Sequence, residues 1–210
     1  MKFRQLEMWL VLIAVFGLGC TGQNRIEREA RSFNPGNSEM ALPTPANVAA
    51  QRGLDVPYVP THQTIVDEML TMAEVKGDDV LYDLGSGDGR IPITAAKRYG
   101  TRGVGIDLNP TRIKEANENA QAAGVTDKVR FIEGDIFQED FSQATVLTLY
   151  LLPQVNLRLR PQILKMKPGT RVVSHNYDMG DWQPEKVKTI TTPDGVEHYV
   201  YFWRVPEPKQ

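Results

Sequence analysis

The chain reads as an α/β protein with a mostly parallel sheet, helices on both faces and a closing antiparallel pair. Three observations carry that reading. Short apolar strand-like runs alternate with helical segments from about residue 55 onward, and such alternation builds parallel sheets. The first run, VLYDL (80–84), leads straight into the glycine loop GSGDG (85–89). The last two runs, KVKTITT and VEHYVYFWRV, flank Pro193-Asp194-Gly195, a turn that folds them back as a hairpin.

The elements follow in order. VPYVPT is extended, because Pro57 and Pro60 hold their predecessors out of the helical region. Thr61 is a candidate cap for the helix behind it, where Ile65, Val66, Met69, Leu70 and Ala73 share one face. After VLYDL comes a helix over Ile91–Tyr99, with Pro92 in its first turn and Gly100 ending it. GVGID (103–107) is a second strand, and a helix from Pro110 to Gly124 follows. KVRFIEGD (128–135) and ATVLTLYLL (144–152) are the third and fourth strands. Pro153 and Pro161 bracket one short helix, and a second helical piece runs to Met166. KPGTRVVSH (167–175) is a turn and a fifth strand.

The N-terminus has another texture. Lys2 and Arg4 precede the apolar run Met8–Gly19, and Cys20 follows. That run falls short of the ~20 residues a comfortable span requires, and it fits the core of a secretory leader. Gly19-Cys20 resembles a bacterial lipoprotein processing site, although Gly17 stands where an aliphatic residue is usual. Residues 1–20 are therefore expected to be a signal or lipoprotein leader. Residues 21–52, rich in Asn, Pro, Ser and Ala, read as a linker, and 53–210 as the folded domain. The expected location is membrane-associated, as an envelope lipoprotein through Cys20, with a cytoplasm-facing anchor as the alternative.

Composition narrows the function. A net charge of −2 with mixed signs argues against a large nucleic-acid footprint. A lone cysteine excludes an internal disulfide, and His62, His175 and His198 show no ligand spacing, so no metal site is expected.

The glycine loop has the spacing G-x-G-x-G. A pyrophosphate site wants G-x-G-x-x-G, and Asp88 inside the loop would repel a phosphate. A cationic ligand without phosphate fits better. Asp83, Asp107 and Asp135 stand at the ends of three successive strands. They can meet an ammonium, a ribose diol and an exocyclic amine in turn, with Ile136 and Phe137 flanking a ring. Singly, each acid is an ordinary turn or cap residue; together they are a rarer coincidence.

DLGSGDGR, GVGIDLNP and EGD resemble the first three motifs of class I S-adenosylmethionine-dependent methyltransferases. The likeness covers about Val56 to Val205. It implies a Rossmann-like three-layer sandwich, with a seven-stranded, mostly parallel sheet and a terminal antiparallel hairpin. It implies S-adenosyl-L-methionine as cofactor, held by Asp83, Gly85, Ser86, Gly87, Gly89, Asp107, Asp135 and Ile136. VPYVPT followed by DLGSGDGRI and GIDLNP is similar to a subgroup containing the mitochondrial lysine methyltransferases of membrane proteins. By that likeness Tyr58 and Thr61 line the cofactor site.

Many amine and base methyltransferases carry a polar Asn/Asp-Pro-Pro-Tyr-like run after strand four. This chain has LYLLPQVN (149–156), which keeps Tyr150 and Pro153 but lacks the polar start. Tyr150 and Asp178 are the candidate catalytic residues. Tyr150 would bound the methyl and orient an amine, and Asp178, in SHNYDMGDW (174–182), would engage it. His198 reads as structural. The acceptor is expected to be a protein, with lysine as the candidate side chain, or a small molecule, with no nucleic acid or metal involved. A non-catalytic binder of the cofactor or a nucleoside, and more distantly a nicotinamide-dependent dehydrogenase, are the competing readings.

Overall fold

The computed structural model describes residues 58–208. The expected leader, linker and boundary at residue 53 lie outside the described residues. The helices are α1 (Gln63–Met72), α2 (Arg90–Tyr99), α3 (Pro110–Ala123) and α4 (Pro153–Ile163). The strands are β1 (Val80–Leu84), β2 (Arg102–Asp107), β3 (Val129–Glu133), β4 (Val146–Leu149), β5 (Arg171–His175), β6 (Lys186–Thr191) and β7 (Glu197–Arg204).

They form one seven-stranded sheet in the order β3-β2-β1-β4-β5-β7-β6. β1 to β5 are parallel, β7 runs antiparallel to β5, and β6 antiparallel to β7. The chain leaves β1 toward β2 on one side, and β4 returns to the other side of β1. The order therefore reverses between β1 and β4, where α/β sheets open a crevice.

Alternation along the strands sends neighbouring side chains to opposite faces. Tyr82, Leu147, Val172 and Trp203 pack with Val155, Leu159 and Ile163 of α4. Their neighbours Leu81, Val146, Val173 and Phe202 pack with Ile65, Val66, Met69 and Leu70 of α1 and Ile91 of α2. Both faces are thus dry, which is why the central strands read as continuous apolar runs.

Three local readings need correction. The cap of α1 is His62, whose Nδ1 accepts the N–H of Thr64 at 3.2 Å, rather than Thr61. The buried Thr61 hydroxyl instead turns toward His175. The two helical pieces around Pro161 are one helix, with Pro161 inside it. Pro161 lacks the N–H that would bond the Leu157 carbonyl, but Leu157 is 44% exposed, and water can take that role. Finally, β4 ends at Leu149, so Tyr150 to Leu152 leave the sheet before α4 begins at Pro153.

Candidate active site

The site lies beyond the carboxyl ends of β1 to β4. The turn after β1 takes three left-handed steps, with φ +76° at Gly85, +53° at Gly87 and +78° at Gly89. Only glycine adopts these without strain. The turn is stitched to the end of β2. Gly85 and Ser86 donate their N–H groups to the Ile106 carbonyl (2.8 and 3.0 Å), and Gly87 donates to Asp107 Oδ2 at 2.8 Å. The glycines also make room for the protein itself. A Cβ would overlap Leu151 at Gly85, the Tyr58 ring at Gly87, and Phe131 with Ala116 at Gly89. At all three positions it is the chain's own side chains that come close to the backbone.

Four carboxylates face the resulting cavity: Asp83, Asp88, Asp107 and Asp135. Asp88 is neutralised. Arg90 Nε donates to both its oxygens (2.9 and 3.1 Å), and the same guanidinium reaches the Thr61 carbonyl at 2.8 Å. Burial pushes the Asp88 carboxyl up, but the bonds and charge of Arg90 outweigh it and hold the group below its ordinary value.

The other three have no ion pair among the described residues. Asp107 Oδ1 accepts the Asn109 N–H at 2.9 Å, leaving each of its oxygens one further lone pair beside the backbone bonds. Asp135 accepts from Phe137 N–H (2.9 Å) and Gln138 Nε2 (2.8 Å), with Ile136 and Phe137 lining the cavity next to it. The Arg158 guanidinium backs Phe137 at 3.6 Å. Asp83 is 3% exposed and, among the described residues, accepts only the Thr148 hydroxyl, at 2.7 Å. Burial, opposed by that bond and reinforced by the charges of Asp107 and Asp88, pushes its carboxyl up to about 7.

Among the described residues the two cavity-lining arginines are both engaged, Arg90 on Asp88 and Arg112 on Glu115 and over the Tyr58 ring at 4.5 Å. The donor set therefore suits a ligand that brings a cation, hydroxyls and an amine, and does not suit a phosphate. S-adenosyl-L-methionine is such a ligand. Ser86 lines the cavity, but its Oγ is buried without a hydrogen-bond partner among the described residues.

A strap closes the site from the side. Tyr58 to Thr61 line the cavity, with the Tyr58 ring over Gly87 and Thr61 held through Arg90. At the opposite end stand Tyr150, Leu151, Leu152, Val155 and Tyr177. Tyr150 and Tyr177 lie nearly parallel, 6.3 Å apart at 19°.

Asp178 is not brought into the cavity. It is exposed, and its Oδ1 accepts the Gly180 N–H at 2.9 Å. The loop that carries it is pinned nearby: Asp181 pairs with Arg160, and the Trp182 carbonyl accepts Trp203 Nε1 at 2.7 Å. Sequence reasoning did not assign Thr148, Arg90, Arg112 or Leu151. Thr148 had a signal, as the one polar residue in the apolar strand VLTL. The arginines had none beyond Arg90 closing the glycine run. His198, read as structural, meets His175 at the rim of the site.

Comparison with known proteins agrees with this geometry. The family model described as the ANTKMT methyltransferase domain matches residues 83–186. The chain is 46% identical over 157 residues to a protein-lysine N-methyltransferase of Saccharolobus islandicus, spanning 73% of this chain and 96% of that one. It is 32% identical over 160 residues to the Xenopus laevis lysine N-methyltransferase named for the ATP synthase C-subunit, spanning 73% and 70%. The crystal structure of an RNA methyltransferase from Salinibacter ruber in complex with S-adenosyl-L-homocysteine is similar at 52% identity and a TM-score of 0.67, over 72% of this chain and 97% of that one. With the strand order and the acids of the cavity that have no ion pair among the described residues, these likenesses place the chain: it belongs to the class I S-adenosylmethionine-dependent methyltransferases, beside relatives named as protein-lysine N-methyltransferases.

Proposed function

We propose that the methyl acceptor is the side-chain amine of a protein lysine. The observation that carries this is the acceptor end of the cavity, where Tyr150 and Tyr177 stand near-parallel beside Leu151, Leu152 and Val155. Such walls suit an aliphatic stem with an amine at its tip. The names of the Saccharolobus and Xenopus relatives support the same acceptor.

The cofactor supplies a methyl group on a sulfonium. The chain's own residues hold, orient and dry the acceptor. Tyr58 and Thr61 exclude water from one side, and Tyr150 and Tyr177 from the other. An amine must shed its proton before it can attack, and an apolar wall favours the neutral form. In this reading Tyr150, which lines the cavity, bounds the methyl and orients the amine, and holding donor and acceptor collinear provides most of the rate. Asp178, exposed and bonded to Gly180, is left with an outer role at most.

The RNA acceptor named for the Salinibacter relative is weaker here, because a net charge of −2 gives little to hold a phosphate chain. Transfer of labelled methyl groups in a cell extract decides between them. The expected label is protease-sensitive and ribonuclease-resistant, and yields methyl-lysine on hydrolysis. Label lost to ribonuclease, or found only in small molecules, would overturn the reading. We further propose that Cys20 anchors the chain to a membrane; no helix among the described residues is long and apolar enough to cross one. Cys20→Ser should then release the protein from the membrane fraction, and continued retention would remove the acyl anchor.

A further inference from the structure

Two histidines, His175 and His198, stand outside the lining of the cavity. His175 ends β5, is 1% exposed and does not line the cavity. It lies behind Tyr150, with ring centroids 3.8 Å apart at 34°, much closer than Tyr150 is to Tyr177. Its two ring nitrogens reach in different directions. Nδ1 is 3.4 Å from Thr61 Oγ1, and Nε2 is 2.9 Å from His198 Nδ1.

Each contact leads to a fixed part of the fold. Thr61 belongs to the strap, and its carbonyl is held by Arg90. His198 lies on β7, where Asn176 Nδ2 also stands 3.3 Å from its Nδ1. Asn176 is itself locked in a left-handed conformation, φ +62°, by exchanging two bonds with Tyr199 (2.7 and 2.9 Å).

A phenylalanine could cover the back of Tyr150 without any polar cost. A buried imidazole such as that of His175 is tolerated only when its polar atoms are bonded. What the imidazole adds is direction: two bonds fix the rotation of its ring, and the stack passes that orientation to Tyr150. Burial, with His198 adding to it, pushes the His175 ring down to about 3, so it stays neutral while it does this.

We infer that His175 is a positioning residue for methyl transfer, setting the plane of Tyr150 and tying it through Thr61 to the strap that covers the cofactor. This rests on the reading that Tyr150 faces the acceptor. The strap and the acceptor wall then form one unit, and cutting either bond of His175 loosens Tyr150 without opening the cofactor site.

The test uses the full chain with 13C-labelled tyrosine rings, the Tyr150 signal being assigned through Tyr150→Phe. His175→Phe keeps the stack and loses both bonds. His175→Gln keeps bonding groups and loses the stack. His198→Phe keeps the Thr61 bond of His175, cuts its outer bond together with the Asn176 contact of His198, and serves if the buried variants fail to fold. The Tyr150 signal should move in every folded variant, while that of buried Tyr82 stays fixed. S-adenosylhomocysteine affinity should stay within about twofold, and kcat with poly-L-lysine should fall by about tenfold or more, at little change in KM. An unmoved Tyr150 signal in folded variants, or an unchanged kcat, overturns the inference. If the wild type transfers nothing to poly-L-lysine, the tyrosine signal alone decides the placement of Tyr150.

Discussion

Two buried aspartates stand at the two ends of strand β1, Asp79 just before it and Asp83 near its close, and their surroundings are opposite. Asp79 is 5% exposed and Asp83 is 3% exposed. Asp79 pairs with Arg171, which also holds the Ala73 carbonyl at 2.8 Å. It further accepts the Thr145 hydroxyl and the Lys76 N–H, each at 2.7 Å. Burial pushes Asp79 up, but these bonds and the Arg171 charge outweigh it and hold it below its ordinary value. Asp83 has Thr148 alone among the described residues, and burial drives it up to about 7. One end of the strand is satisfied by the fold. The other end is completed only by something that arrives. A buried acid with no cation, facing a cavity, is the mark of the binding end.

The largest effect should come from breaking the satisfied end. Asp79→Ala leaves Arg171 buried without its partner and should cost about 3–5 kcal/mol, read as a fall in denaturant midpoint. Cofactor binding by the fraction that remains folded should be little changed. A loss below about 1 kcal/mol would mean the pair is not closed as described.

At the other end the sign reverses. The folded pKa of Asp83 is raised to about 7 from 3.8, so the unfolded chain gives up its proton first as pH rises. The wild type therefore loses stability between about pH 4 and above pH 7, relative to a variant that cannot ionise. Asp83→Asn should be more stable than wild type at pH 8 by roughly 3–4 kcal/mol, with the gain fading toward pH 4. It should also bind S-adenosylmethionine much more weakly. Equal pH slopes for the two proteins would contradict the assignment.

A smaller effect is expected at the loop. Gly87→Ala forces a side chain into φ +53° and against the Tyr58 ring. It should cost about 1–2 kcal/mol and weaken cofactor binding, which calorimetry would read. The smallest belongs to the exposed rim. Asp178→Ala loses one bond to Gly180 and should change stability by about 0.5 kcal/mol or less, leaving transfer within about twofold of wild type. A large loss of kcat there would restore Asp178 to the catalytic centre.

The stretch DDVLYD shows what a sequence can and cannot tell. Its apolar core reads as a strand, and the glycines behind it read as a turn at the sheet's edge. Nothing local separates Asp79 from Asp83, because the partner that distinguishes them, Arg171, is 92 residues away. The alternating elements, the hairpin and the acids at the carboxyl ends of β1 to β3 are legible because each depends on periodicity or on turn chemistry within a few residues. Thr61 reads as a cap because its competitor His62 is adjacent, and the deciding contact, His175, is 114 residues distant. Asp178 is carried near the site by its loop, but the backbone N–H of Gly180 takes its carboxylate. The His175–His198 contact joins two strands that periodicity treats only as apolar faces.

The most direct test of the unpaired end is calorimetry of S-adenosylmethionine binding at pH 6, in buffers of different ionisation enthalpy. A carboxyl pushed up to about 7 is mostly protonated there. If the cationic end of the cofactor charges Asp83, the wild type should release about 0.9 proton on binding, and Asp83→Asn none. Binding by the wild type with no buffer dependence would contradict this, because Asp83 would then not be the acid that the cofactor completes.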